Sequence, residues 1–139
     1  MAWIQLHEVL DRESKTWVLP NGWWNGETAY LVEQGLLGAM ILGGHPEEVE
    51  GELTSADFMV QAHRLIFDAI MAVRANAPGG PDLRLVTHEL ERQGTLQRAG
   101  GISYVTALID KLPDIQNVPT YARYVREAAR YRRLKGIKP

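Results

Sequence analysis

Four histidines, His7, His45, His63 and His88, and a run of carboxylates, Glu47, Glu48, Glu50 and Glu52, are the residues whose types could bind a metal or move a proton. A helix brings two imidazoles onto one metal when they stand four positions apart, and no two histidines here do. The segment His88-Glu89-Leu90-Glu91 lacks the second histidine of a zinc-protease helix. The four acids follow Pro46 at the start of a short helical turn, where the helix dipole favours negative charge, so they read as a solvated face over Pro46 to Leu53. His63, beside Arg64, reads as a packed or surface histidine with one hydrogen bond. Cysteine is absent, which removes thiolate ligands, a thiol nucleophile and disulfides. No catalytic, cofactor-binding or metal-binding residue is assigned.

Nucleotide hydrolysis needs a glycine-rich loop followed by Lys-Ser or Lys-Thr, so that backbone N–H groups and the lysine meet the phosphates. The pairs Gly43-Gly44, Gly79-Gly80 and Gly100-Gly101 have no such successor and read as helix punctuation. One electrostatic feature stands out. Between Arg123 and Lys138 there are seven basic residues against one acid, Glu127. Arg130, Arg132, Arg133 and Lys135 are candidates for contact with a phosphate backbone, with Trp23 and Trp24 as possible base-stacking platforms. The same excess is also what a helix C-terminus favours, and a structural or protein-contact role is preferred here.

These residues must be positioned by a chain of 139 residues, enough for one domain with one core. An apolar fraction of 45%, a charged fraction of 23% and a net charge of -2 describe an ordinary soluble protein with no global pull toward nucleic acid. No apolar run approaches the ~20 residues of a membrane helix, and the first residues lack the pattern of a signal peptide. A cytoplasmic protein is expected.

Residues 1–28 hold all four tryptophans and the turn-like Pro20-Asn21-Gly22, and read as an irregular lead segment in which Trp17-Val18 and Trp23-Trp24 could pair as a short hairpin. From about Ala29 the periodicity is helical, with Leu36, Leu37, Met40 and Ile41 in one stripe stopped at Gly43-Gly44. Thr54-Ser55-Ala56-Asp57 has the form of a capping box and opens the longest run, to about Ala77, which reads as the central core helix. Asp82 caps a helix carrying Leu83, Val86 and Leu90 until Gly94. Ile102, Val105, Leu108, Ile109 and Leu112 mark another, and Tyr121, Ala122, Val125 and Ala129 lie on one side of a last helix from about Val118 to Leu134. The fold class is all-α, a small bundle of five to six helices over residues 29–135, with residues 136–139 as a tail.

Several segments, in order, resemble the N-terminal domain of DnaB-type replicative DNA helicases. They are Glu33-Gln34 with Leu37-Gly38-Ala39; Asp57-Phe58 with His63-Arg64-Leu65-Ile66-Phe67 and Ala69-Ile70; and Asp82, Leu90-Glu91, Gly94-Thr95-Leu96 and Gly100-Gly101 with Tyr104 and Leu108. Pro113, Asn117, Tyr121-Ala122, Val125-Arg126-Glu127 and Arg132-Arg133-Leu134 complete the set. Gly38 would allow close helix packing, and Phe58 and Phe67 are expected in the core. Two departures are visible: the Trp-rich lead replaces the family's polar entry to the first helix, and Leu85 stands where a threonine is usual, leaving Asp82 to cap alone.

The resemblance implies a non-catalytic head that self-associates, as a homodimer or weak oligomer, and helps engage a DnaG-type primase, with the ATPase motor in a separate domain and no membrane contact. The last helix resembles the first arm of the family's helical hairpin, and the second arm is expected to be missing, which would weaken ring-forming contacts through that hairpin. Tyr121, Tyr124, Val125 and Arg126 are the expected association surface. Direct DNA contact is a secondary reading, and a stand-alone regulator that competes for a partner of the helicase is a third.

Overall fold

The computed structural model describes residues 26–44, 51, 53–110 and 115–136. Among them the chain forms five α-helices, α1 (Gly26–Ile41), α2 (Gln61–Asn76), α3 (Leu83–Arg92), α4 (Gly101–Asp110) and α5 (Val118–Lys135), with short 3-10 turns at Ser55–Asp57 and Ile115–Asn117 and no strand. The expected Trp17–Trp24 hairpin and the acid run at 47–52 lie outside the described residues.

α1 is the axis of the fold. It packs against α5, α2 and α4, while α3 leans on α2. Leu36, Leu37, Ala39, Met40 and Ile41 are all buried, so the helix carries no single apolar stripe but is dry on nearly every side. α2, expected as the central core helix, buries His63, Ile66, Phe67, Ala69, Ile70 and Val73 and keeps an outer face with Gln61, Asp68, Ala75 and Asn76 exposed, so it shares the core with α1. The core is completed by Ile66, Ala69 and Ile70 of α2, Val86 and Leu90 of α3, Val105 and Leu108 of α4, and Val118, Ala122 and Val125 of α5. α1 also begins three residues earlier than its periodicity suggests, at Gly26.

The helix ends follow local chemistry. Gly43 turns the chain out of α1 with φ 108°, a conformation costly for any residue with a Cβ. Gly44 then bonds through its N–H to the Ala39 carbonyl at 2.8 Å, and a Cβ there would stand 2.7 Å from the Val118 side chain. α1 and α5 approach closely at Gly35, where a Cβ would lie 3.3 Å from the Tyr121 ring; Gly38 is buried in the same helix. Asp82 caps α3, accepting from the Leu85 N–H at 2.8 Å, while Leu85 itself faces solvent.

Three local expectations change. The Thr54–Asp57 motif closes a single 3-10 turn, with the Thr54 N–H donating to Asp57 Oδ2 at 2.9 Å, and does not open α2. Phe58 is extended (φ -79°, ψ 139°), because its ring is drawn into the core 4.9 Å from the Phe67 ring centroid, and the helix restarts at Gln61. Leu53, at the end of the segment read as solvated, is buried against the core. Ile102, assigned to the inner stripe of α4, is 58% exposed, because it stands on the first turn beside α3 rather than over α1.

Candidate functional site

Polar side chains in an otherwise apolar core need partners, since an unsatisfied buried donor or acceptor costs about 1–3 kcal/mol. This fold buries Glu33, Gln34, Asp57, His63 and Arg132. They form one seam between α1, the linker 54–60, α2 and α5.

Glu33, one turn before Leu36 and Leu37 on α1, is 1% exposed. Its Oε2 accepts the Met59 N–H at 2.6 Å, and its Oε1 accepts the Val60 N–H at 3.4 Å. Val60 is the N-cap of α2, and valine has no side-chain oxygen to satisfy the free N–H groups of a helix start. The carboxylate of α1 therefore caps α2 from another helix and faces the positive end of its dipole.

His63 Nδ1 meets Glu33 Oε1 at 2.7 Å. An ionised carboxylate only accepts, so Nδ1 carries the proton. On the other edge of the ring, Nε2 lies 2.6 Å from the Tyr104 hydroxyl. Gln34 Nε2 donates to the Tyr104 and Tyr30 hydroxyls at 3.1 and 3.2 Å, and the His63 ring lies between the Tyr30 and Tyr104 rings at centroid distances of 5.4 and 6.0 Å. Burial pushes the Tyr104 phenol well above the usual tyrosine range, reinforced by its bond to Tyr30. Burial likewise raises Tyr30. Gly100 makes room for this ring, since with φ 101° it would place a Cβ 2.7 Å from Tyr104.

The second half of the seam is ionic. Asp57, nearly buried, accepts from Arg133 Nη2 at 2.6 Å through Oδ1. Its backbone carbonyl accepts from Arg132 Nη2 at 3.0 Å, and the Phe58 carbonyl accepts from Arg64 Nε at 2.7 Å. Burial pulls the Arg132 guanidinium below the usual arginine range, and the charge of Glu33 opposes that pull. The irregular linker thus has its polar groups met by side chains of α1, α2 and α5.

Glu33, His63 and Tyr104 stand in the order of an acid–base relay, with Glu33 and His63 buried, Tyr104 half-buried, and each hydrogen-bonded within the fold. The groove of about 210 Å³ lined by Leu83, Arg84, Thr87, His88, Glu91 and Ile102 lies elsewhere, between α3 and α4. Among the described residues no group of three or more His, Cys, Asp or Glu could hold a metal. No helix among them is long and apolar enough to cross a membrane. His7 and His45 lie outside the described residues.

The expected surfaces are partly dismantled by the packing. Of Tyr121, Tyr124, Val125 and Arg126, Val125 belongs to the core at 1% exposure, because it faces α1, and the other three are half-buried. Of Arg130, Arg132, Arg133 and Lys135, Arg132 is buried on the Asp57 carbonyl and Arg133 is paired with the Asp57 carboxylate. Arg130 and Lys135 are exposed, the latter with its ammonium 5.9 Å from the Tyr131 ring centroid. Sequence reasoning missed Glu33 and Gln34 as a site. The signal was present: two polar residues inside a helix that is apolar around the rest of its circumference.

Residues 27–127 match the family model described as DnaB-like helicase N terminal domain. The chain is 37% identical over 106 residues to the replicative DNA helicase DnaB of Leifsonia xyli subsp. xyli, covering 75% of this chain and 23% of that protein. It is 40% identical over 103 residues to the replicative DNA helicase DnaB of Geobacillus stearothermophilus, covering 73% and 22%. The chain therefore spans about a fifth of the length of these curated relatives. A crystal structure of the N-terminal domain of DnaB helicase from Mycobacterium tuberculosis superposes with a TM-score of 0.67 at 36% identity, covering 77% of this chain and 76% of that one. With a family match across all five helices but the end of the last, and a fold shared at that identity, the chain belongs to the DnaB-like helicase N-terminal domain family.

Proposed function

We propose that this chain is a non-catalytic assembly head of DNA replication, self-associating through helical surfaces and contacting a DnaG-type primase, with ATP hydrolysis left to a separate motor domain. The observation that carries this reading is the family match over residues 27–127, which falls on the N-terminal domain and not on the motor. The polar seam supports it too, because the buried Glu33, Asp57, His63 and Arg132 bond to other parts of the fold, which leaves the outer faces of the helices for partners. The outer side of α5, with Tyr124 and Arg126 half-exposed and Arg130 exposed, is the proposed association surface. A ridge of contacts to DNA is less well supported, since Arg132 and Arg133 are committed to Asp57.

Light scattering on the purified chain across a concentration series, with and without a primase C-terminal domain, tests the proposal. A dimer that grows on adding primase is expected, with no ATP turnover by the chain alone. A monomer indifferent to primase would sink the assembly role.

A further inference from the structure

The end of α5 is held differently from its beginning. Val118, Ala122 and Val125 anchor the first two turns in the main core, and Ala128 and Ala129 are the last small apolar side chains to be buried. Beyond them, Arg130, Arg133, Leu134 and Lys135 are exposed, Leu134 by 79%. Arg132 is the one buried residue of this last stretch, and its guanidinium goes to the Asp57 carbonyl. Arg133 adds the ion pair to the Asp57 carboxylate at 2.6 Å.

We propose that Asp57 is an ionic latch that fixes the direction of residues 133–135 of α5, the turn beyond the buried Arg132, and that breaking its pair with Arg133 frees this turn while the helical core stays closed. Asp57 suits the task because its own position is fixed twice over, by the Thr54 N–H bond and by Phe58, whose ring is fully buried next door. The linker therefore acts as a rigid post, and the exposed Arg133 as the movable part. A pair with one partner 4% and the other 58% exposed is shielded enough to matter and open enough for a competing carboxylate or phosphate to reach the guanidinium.

The absence of cysteine makes the test clean. Spin labels at Leu134→Cys and at the exposed Asp68→Cys on α2 report the distance between the end of α5 and the core in the full chain. A narrow distance distribution is expected with Arg133 present, broadened at least twofold by Arg133→Gln and narrowed again by Arg133→Lys, with the thermal midpoint of the chain unchanged within a few degrees. A distribution that Arg133→Gln leaves unchanged would overturn the latch. A large drop in the midpoint, with faster hydrogen exchange throughout α1 and α2, would overturn it as well, because the pair would then be a general support of the fold.

Discussion

Leu36 and Glu33 stand one turn apart on α1 and are equally dry, at 0% and 1% exposure, yet they hold the fold by different rules. Around Leu36, Leu37, Ile66 and Ile70 the helices are joined by non-directional burial, where the quantity that matters is filled volume. Around Glu33 and Asp57 they are joined by directed bonds from one element to the backbone of another, and each partner removed leaves a buried group unsatisfied. The apolar layer supplies cohesion. The seam decides which linker conformation and which helix start that cohesion is compatible with.

The comparison is broken most severely by a change that keeps shape and removes charge. Glu33→Gln is nearly isosteric, but it removes the negative charge that faces the α2 start and Arg132, and its amide nitrogen finds an acceptor only if His63 moves its proton from Nδ1 to Nε2. It is expected to cost about 3 kcal/mol in urea unfolding. A loss under about 1 kcal/mol would show that the seam is decorative.

Tyr104→Phe comes next. It keeps the ring and removes a hydroxyl bonded to His63, Gln34 and Tyr30, and should cost about 2 kcal/mol at neutral pH. It should also change the alkaline limb. Burial raises the phenol of Tyr104 in the folded chain, so the fold holds the proton more tightly than the unfolded chain does. The resulting stability is complete below the unfolded value of about 10 and is lost as pH rises from there toward the folded value. Unfolding midpoints measured above pH ~10 should therefore fall less steeply in Tyr104→Phe than in the parent, with the raised Tyr30 leaving a residual slope. Equal slopes would mean that the hydroxyl is not shielded as described.

The smallest effect belongs to the apolar layer. Leu37→Met conserves volume in a fully buried position and should cost less than about 1.5 kcal/mol in the same urea experiment. If it cost as much as Glu33→Gln, the two regions would be equally exacting, and the distinction between them would fail.

Much of this molecule was legible without coordinates because it is local. The stop at Gly43-Gly44, the Asp82 cap, and the apolar positions of α2, α3 and α5 each depend on neighbours within a turn or two, and such patterns survive any tertiary arrangement. The capping pattern at Thr54–Asp57 was legible too, though not its extent: the local bond forms, and the burial of Phe58 then ends the turn.

The candidate site lies on the other side of that line. Glu33 caps a helix whose N-cap lies 27 residues later, and Arg132 reaches a carbonyl 75 positions back. Val125 is core, whereas Tyr124 beside it is half-exposed. The sequence by itself determined that the chain is helical, where the Gly43-Gly44 stop and the Asp82 cap fall, and which family it resembles, but not where α1 and α2 begin. The angles and contacts between helices decided which polar side chains are buried and what they bond, because a directed bond between distant residues depends on their placement in space and leaves no period in the chain.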